Sequence, residues 1–81
     1  MNIHIELVKK WLADNDSVTQ QELDDNYAAT KVAYYAVDFA VAYAAYATAE
    51  AYYAADFAAA ADSDNAKHWV KRYEELEEQG E

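Results

Sequence analysis

Cysteine and proline are absent from this 81-residue chain, and glycine occurs once, at Gly80. Without cysteine there is neither a disulfide framework nor a thiolate metal site, and a reducing compartment fits. Without proline, and with one glycine near the C-terminus, the tight turns that hairpins and sheets require have few residues to make them. The chain therefore reads as all-α. Cations are scarce as well: six Lys and Arg stand against sixteen Asp and Glu, a formal net charge of -10. That balance argues against direct nucleic-acid binding through phosphate contacts and favours a basic partner. Long apolar runs are also missing. The tract from Val32 to Ala61 is cut by Asp38, Glu50 and Asp56, and its longest uncharged run, Phe39 to Ala49, has eleven residues. A bilayer span needs about 20. The stretch Ile3 to Ala13 is interrupted by His4, Glu6, Lys9 and Lys10, which excludes it as the apolar core of a signal peptide. A cytoplasmic protein with no membrane partner is expected.

A chain of this length makes one small domain, 1–81, near the lower limit for folding alone, because it buries only roughly 60% of its unfolded surface. Three helices are predicted. The first covers 3–13, with Asn2 as N-cap and Ile3, Leu7, Val8 and Trp11 as an apolar stripe. The polar cluster Asp14-Asn15-Asp16-Ser17 ends it in a loop. The second has the clearest start in the chain: Thr19 as N-cap, Glu22 three residues on to close a capping box, and Val18 facing Leu23 as a hydrophobic staple. No stop signal follows until Asp62-Ser63-Asp64-Asn65, and alanine fills 17 positions from Ala28 to Ala61. The spacing thus predicts one central helix over 20–61, 42 residues and roughly 63 Å long. The alternative, a hairpin breaking near Thr48, has no turn residue there to support it. The third helix covers 65–79 and carries Ala66, Trp69, Tyr73 and Leu76 beside Val70. Gly80 is its expected C-terminal cap.

The central segment shows a ridge of small residues, with Ala40, Ala44, Ala47, Ala51 and Ala54 along one side, bordered by Tyr and Phe. Tyr34, Tyr35 and Tyr52 project elsewhere, so aromatics surround the helix, and two short helices cannot cover it. Two expectations follow. The ridge can admit a second copy at close range, giving a dimer or larger coiled-coil-like bundle. The tyrosines can instead serve as contact anchors for a partner, since tyrosine offers large contact area at low entropic cost.

Motifs for chemistry are not found. His4 and His68 sit on separate terminal helices with no cysteine to join them, so neither a metal nor another cofactor is expected. Asp62-Ser63-Asp64-Asn65 opens like a calcium loop, but Lys67 stands where that loop needs glycine and Tyr73 where it needs a bidentate Glu. With no nucleophile triad and no glycine-rich phosphate loop, there are no catalytic residues to assign and an enzyme is not expected.

The acids gather at two places. Asp24 and Asp25 belong to a cluster at the start of the central helix, and Glu74, Glu75, Glu77 and Glu78 lie near the C-terminus. Such a face suits a basic groove on a partner, including one that otherwise holds nucleic acid. The segments Ile5 to Leu12, Ser17 to Leu23 and His68 to Leu76, with the Ala/Tyr/Asp-rich middle, together resemble the short acidic orphan proteins of tailed bacteriophages. That resemblance implies a protein that binds and inhibits a host protein, such as a defence nuclease or a CRISPR complex, and carries over no functional residue. The alternative is a structural helical oligomer that binds mainly itself.

Overall fold

The computed structural model describes residues 2–37 and 42–79, with the side chains of 42–45 and 79 outside that set. Four α-helices follow one another: α1 Ile3–Ala13, α2 Gln20–Ala36, α3 Ala42–Ala59 and α4 Ser63–Gln79. The start of α1 is set by Asn2, whose side-chain oxygen accepts from the amides of His4 and Ile5 at 2.8 and 3.3 Å. At its end the polar loop turns back to satisfy orphan carbonyls. Asn15 Nδ2 donates to the Trp11 carbonyl at 2.8 Å, and Ser17 Oγ lies 3.2 Å from that of Lys10. A short 3₁₀ turn, Asn15–Ser17, leads to α2. There the capping box forms in both directions: Glu22 N donates to Thr19 Oγ1, and Thr19 N donates to Glu22 Oε1, each at 3.1 Å. The flanking Val18 and Leu23 are both buried.

The central helix of 20–61 expected from composition does not occur. Helix α2 ends at Ala36, followed by Val37 in an extended conformation, and α3 begins at Ala42. The two helices run antiparallel, because Gln20 Nε2 reaches the Ala59 carbonyl at 2.8 Å and the Tyr27 ring stacks on Tyr52. The longest dimension of the molecule is 38 Å, where an unbroken helix would need roughly 63 Å. Alanine propensity favours continuation by at most a few tenths of a kcal/mol per residue. Folding back half-buries Tyr27, Tyr34, Tyr52 and Tyr53 and helps to bury Leu23, Ala51 and Ala54. At about 1.5–3 kcal/mol for each large apolar side chain fully covered, and proportionally less for one half covered, the summed nonlocal gain outweighs the local preference.

Helix α3 ends without glycine. Asp62 N donates to the Phe57 carbonyl at 2.8 Å and Ala61 N to that of Ala58 at 3.0 Å, the paired bonds of a Schellman cap, with Ala61 at φ 60°. Asp62 then caps α4, its carboxylate accepting from the backbone and side-chain amides of Asn65 at 3.2 and 2.7 Å. The short link makes α3 and α4 antiparallel neighbours, and α1 packs antiparallel to α4 through Lys9 and Glu74. The result is an up-down-up-down bundle in which α3 touches all three other helices.

The core is drawn from every helix: Ile5, Val8 and Trp11 of α1, Leu23 of α2, Ala51, Ala54 and Ala58 of α3, and Ala66, Val70 and Tyr73 of α4. In α1 the buried stripe is therefore shifted from the expected one, and Ile3 is 75% exposed. The inward face of α2 carries Asn26 and Thr30 after Leu23, both buried. Thr30 Oγ1 is satisfied by the carbonyls of Asn26 and Tyr27 at 3.1 and 2.8 Å. No helix among the described residues is long and apolar enough to cross a membrane.

Candidate functional site

The antiparallel pairing of α2 and α3 gathers the tyrosines into one belt. Tyr27 and Tyr34 are seven residues apart on α2, so about 10.5 Å separates them along the axis. Tyr52 of α3 inserts between them. Its ring centroid lies 5.6 Å from Tyr27 at 13° and 5.0 Å from Tyr34 at 22°, both stacked. The three rings form a column, and the phenols of Tyr27 and Tyr52 meet at 3.4 Å. From Tyr34 the belt continues to Tyr35, edge-on at 5.6 Å, and to Tyr53 at 6.4 Å. Tyr53 in turn contacts Trp69 of α4 at 4.9 Å, and His68 stands edge-on to Trp69 at 5.1 Å. The belt thus crosses three helices. Tyr27, Tyr34, Tyr52, Tyr53 and Trp69 are half-buried and Tyr35 is exposed.

Its electrostatics favour neutral phenols. The hydrogen bond with Tyr27, followed by burial and by the charges of Tyr27, Tyr35 and Asp56, pushes the Tyr52 pKa up to about 12. Tyr53 is also raised, first by the charge of Tyr34, then by burial and a hydrogen bond to Tyr34. These hydroxyls can donate hydrogen bonds well into the alkaline range.

The three tyrosines singled out in the sequence, Tyr34, Tyr35 and Tyr52, are brought together, along with Tyr27, Tyr53 and Trp69, which sequence reasoning did not group with them. The available signal was the seven-residue interval between Tyr27 and Tyr34, which places both rings on one face of α2.

The acidic residues stay in two groups. Asp24 and Asp25 are exposed on α2, held by Gln20 Nε2 and Gln21 Nε2 at 2.9 and 2.8 Å. Glu74, Glu75 and Glu78 are exposed on α4, and Glu77 is partly covered. Helix α1 stands between the groups: Asp25 shares a groove with Ile3 and Leu7, Glu77 another with Asn2 and Ile5. Glu74 is engaged by Lys9, with Nζ and Oε2 3.3 Å apart. The hydrogen bond and charge of Glu74, with Glu6 and Glu77 adding, push the Lys9 pKa up.

The described part of the small-residue ridge faces inward. Ala51 and Ala54 are 3% and 0% exposed, and Ala47 packs on the core from its edge. Ala40 lies outside the described residues, as do the side chain of Ala44 and the expected cap Gly80. The described part of the ridge lets the chain's own helices approach α3 closely.

One carboxylate is poorly satisfied. Glu50, with 12% of its side chain exposed, faces Arg72 Nε at 3.9 Å, while its Oε2 is buried and has no hydrogen-bond partner among the described residues. Burial raises its pKa, against the opposing pull of Arg72. Among the described residues no group of three or more His, Asp or Glu is placed to hold a metal ion. Comparison of the chain with protein-family models, curated proteins and solved structures finds no match.

Proposed function

We propose that the chain is a non-enzymatic binding protein that docks on a basic partner protein through its tyrosine belt and acidic flanks. The observation that carries this reading is the belt itself. Six aromatic side chains from three helices are aligned at the surface, in a chain of net charge -10. Rigid, half-buried tyrosines are the side chains that anchor protein interfaces at low entropic cost. The exposed carboxylates of Asp24, Asp25, Glu75 and Glu78 would speed encounter with a basic groove. The phage-protein resemblance extends the reading to an inhibitor of a bacterial host protein, acting in the cytoplasm, with a nuclease or CRISPR complex as the target class.

Affinity capture from a bacterial lysate tests it. One dominant partner with a basic surface should be retained, and raising salt from about 0.05 to 0.5 M should weaken retention by screening the exposed charges. Tyr34→Ala or Tyr52→Ala should then raise the dissociation rate, whereas neutralising Glu75 and Glu78 should lower the association rate. Capture of the chain alone would overturn the proposal.

A second reading, a helical oligomer that binds mainly itself, draws on Val32, Tyr35 and Tyr46, which are 70%, 69% and 63% exposed. Sedimentation across micromolar concentrations separates the two, because Tyr35→Ser with Tyr46→Ser should reduce the mass only if these side chains pair copies.

A further inference from the structure

We propose that the open end of the tyrosine column, at Tyr27, binds an arginine side chain of the basic partner, its guanidinium stacking on the Tyr27 ring between Asp24 and Asp56. The inference rests on the reading of the chain as a binder of a basic protein, and it names the chemistry of recognition.

The column order is Tyr27, Tyr52, Tyr34, with centroid steps of 5.6 and 5.0 Å. Both faces of Tyr52 are taken by its neighbours, and Tyr34 leads on to Tyr35 and Tyr53. Only the Tyr27 end lacks a further ring among the described contacts. Helical side chains lean toward the N-terminus, so Tyr27 lies over the turn that carries Asp24. On α3, one turn beyond Tyr52, stands Asp56, whose charge is felt at the Tyr52 phenol. Further along is Ala59, whose carbonyl holds Gln20, and Gln20 in turn holds Asp24 at 2.9 Å. Helical spacing therefore places two carboxylates, Asp24 and Asp56, beside the position where a fourth ring would continue the column, with the Ala59 carbonyl already taken by Gln20.

A planar cation fits that position. Guanidinium stacks on aromatic faces, is weakly hydrated, and offers its fork of N–H donors to carboxylates in its own plane. A lysine ammonium meets the same charge and is drawn to the ring face, but it has no plane to stack and no fork of donors. Charge complementarity points the same way. Residues 20–59 contain Lys31 as their single cation against Glu22, Asp24, Asp25, Asp38, Glu50 and Asp56.

The test compares nona-arginine with nona-lysine by calorimetry on the full chain at about 0.15 M salt, where surface charges are partly screened. The arginine peptide should bind about fivefold tighter. Tyr27→Leu should remove most of that difference, lowering the affinity of the arginine peptide about fivefold and that of the lysine peptide by less. Because a change in the column could disturb the fold, Asp24→Asn, on an exposed side chain, serves as a second variant and should weaken the arginine peptide more than the lysine peptide. Equal affinities for the two peptides, or equal losses in the variants, would overturn the arginine site while leaving a basic partner in place. Binding of neither peptide would overturn both readings.

Discussion

His4 and Asn26 hold each other at two points across the α1–α2 interface. Asn26 Nδ2 donates to the His4 carbonyl at 3.2 Å, and Asn26 Oδ1 lies 2.6 Å from His4 Nδ1. With its amide nitrogen engaged as donor, Asn26 leaves its oxygen as acceptor, so the imidazole carries its hydrogen on Nδ1. The carboxamide is buried and both of its polar atoms are used. Asn26→Ala should lower stability by about 1–2 kcal/mol, since it strips partners from groups that stay partly covered. Urea unfolding monitored by helicity would check this. A change below about 0.3 kcal/mol would show that the clasp contributes nothing net.

Glu50 is expected to act in the opposite sense. Its folded pKa is raised, so the folded state holds the proton more tightly than the unfolded chain. Stability should therefore fall as pH rises from the ordinary glutamate value of 4.5 through the folded pKa, and remain lower above it. Glu50→Gln should remove that dependence and stabilise the bundle at pH 7 by on the order of 1 kcal/mol. Thermal midpoints of the two proteins at pH 4 and pH 7 would decide it, and a destabilised variant at pH 7 would show that the Arg72 attraction outweighs burial.

Ala61 occupies the left-handed position of the α3 cap at φ 60°, where a Cβ is strained. Ala61→Gly should gain about 1 kcal/mol. For a domain of this size that corresponds to roughly 4–8 °C in Tm. Loss of stability would indicate that the added freedom of the unfolded chain dominates.

Tyrosine ionisation followed by ultraviolet absorbance should show one phenol titrating near 12, assigned to Tyr52 by its loss in Tyr52→Phe. The raised value also predicts that stability is lost as pH climbs from 10.0 towards about 12, because the unfolded chain releases that proton first. Tyrosines all titrating together near 10 would contradict the stacked column.

Ala54 is fully buried at the face of α3 that meets the core. Ala54→Leu should cost about 1–3 kcal/mol through overpacking, and chemical denaturation of the isolated chain would measure it. A neutral outcome would mean that the helices around α3 can separate freely at that level.

The local signals in the sequence act within a few residues, and these are the ones the structure repeats. Asn2 caps α1, and Thr19 and Glu22 close the box at α2, because each side chain reaches backbone amides two or three positions away. The last helix, expected from 65, starts at Ser63 because Asp62 caps it. The helical character follows equally from composition, since alanine without proline or internal glycine leaves the backbone no competing conformation. What reads ambiguously is any choice between faces. Ile3 and Ile5 are both apolar, and only packing against α4 and α3 selects Ile5 for the core and leaves Ile3 exposed.

The break between α2 and α3 and the assembly of the tyrosine column were decided by tertiary structure alone. Val37 and its neighbours carry no glycine, proline or asparagine to mark a reversal. The antiparallel pairing of α2 and α3 is stabilised from a distance, by Tyr52 entering between Tyr27 and Tyr34 and by alanines letting α3 nest among three helices. Asn26 and Thr30 are tolerated inside for the same reason: one finds His4 across an interface, the other its own backbone. Capping and propensity depend on neighbours along the chain and so can be read from it. Pairing of distant segments depends on the summed burial of side chains whose register no short interval of sequence contains.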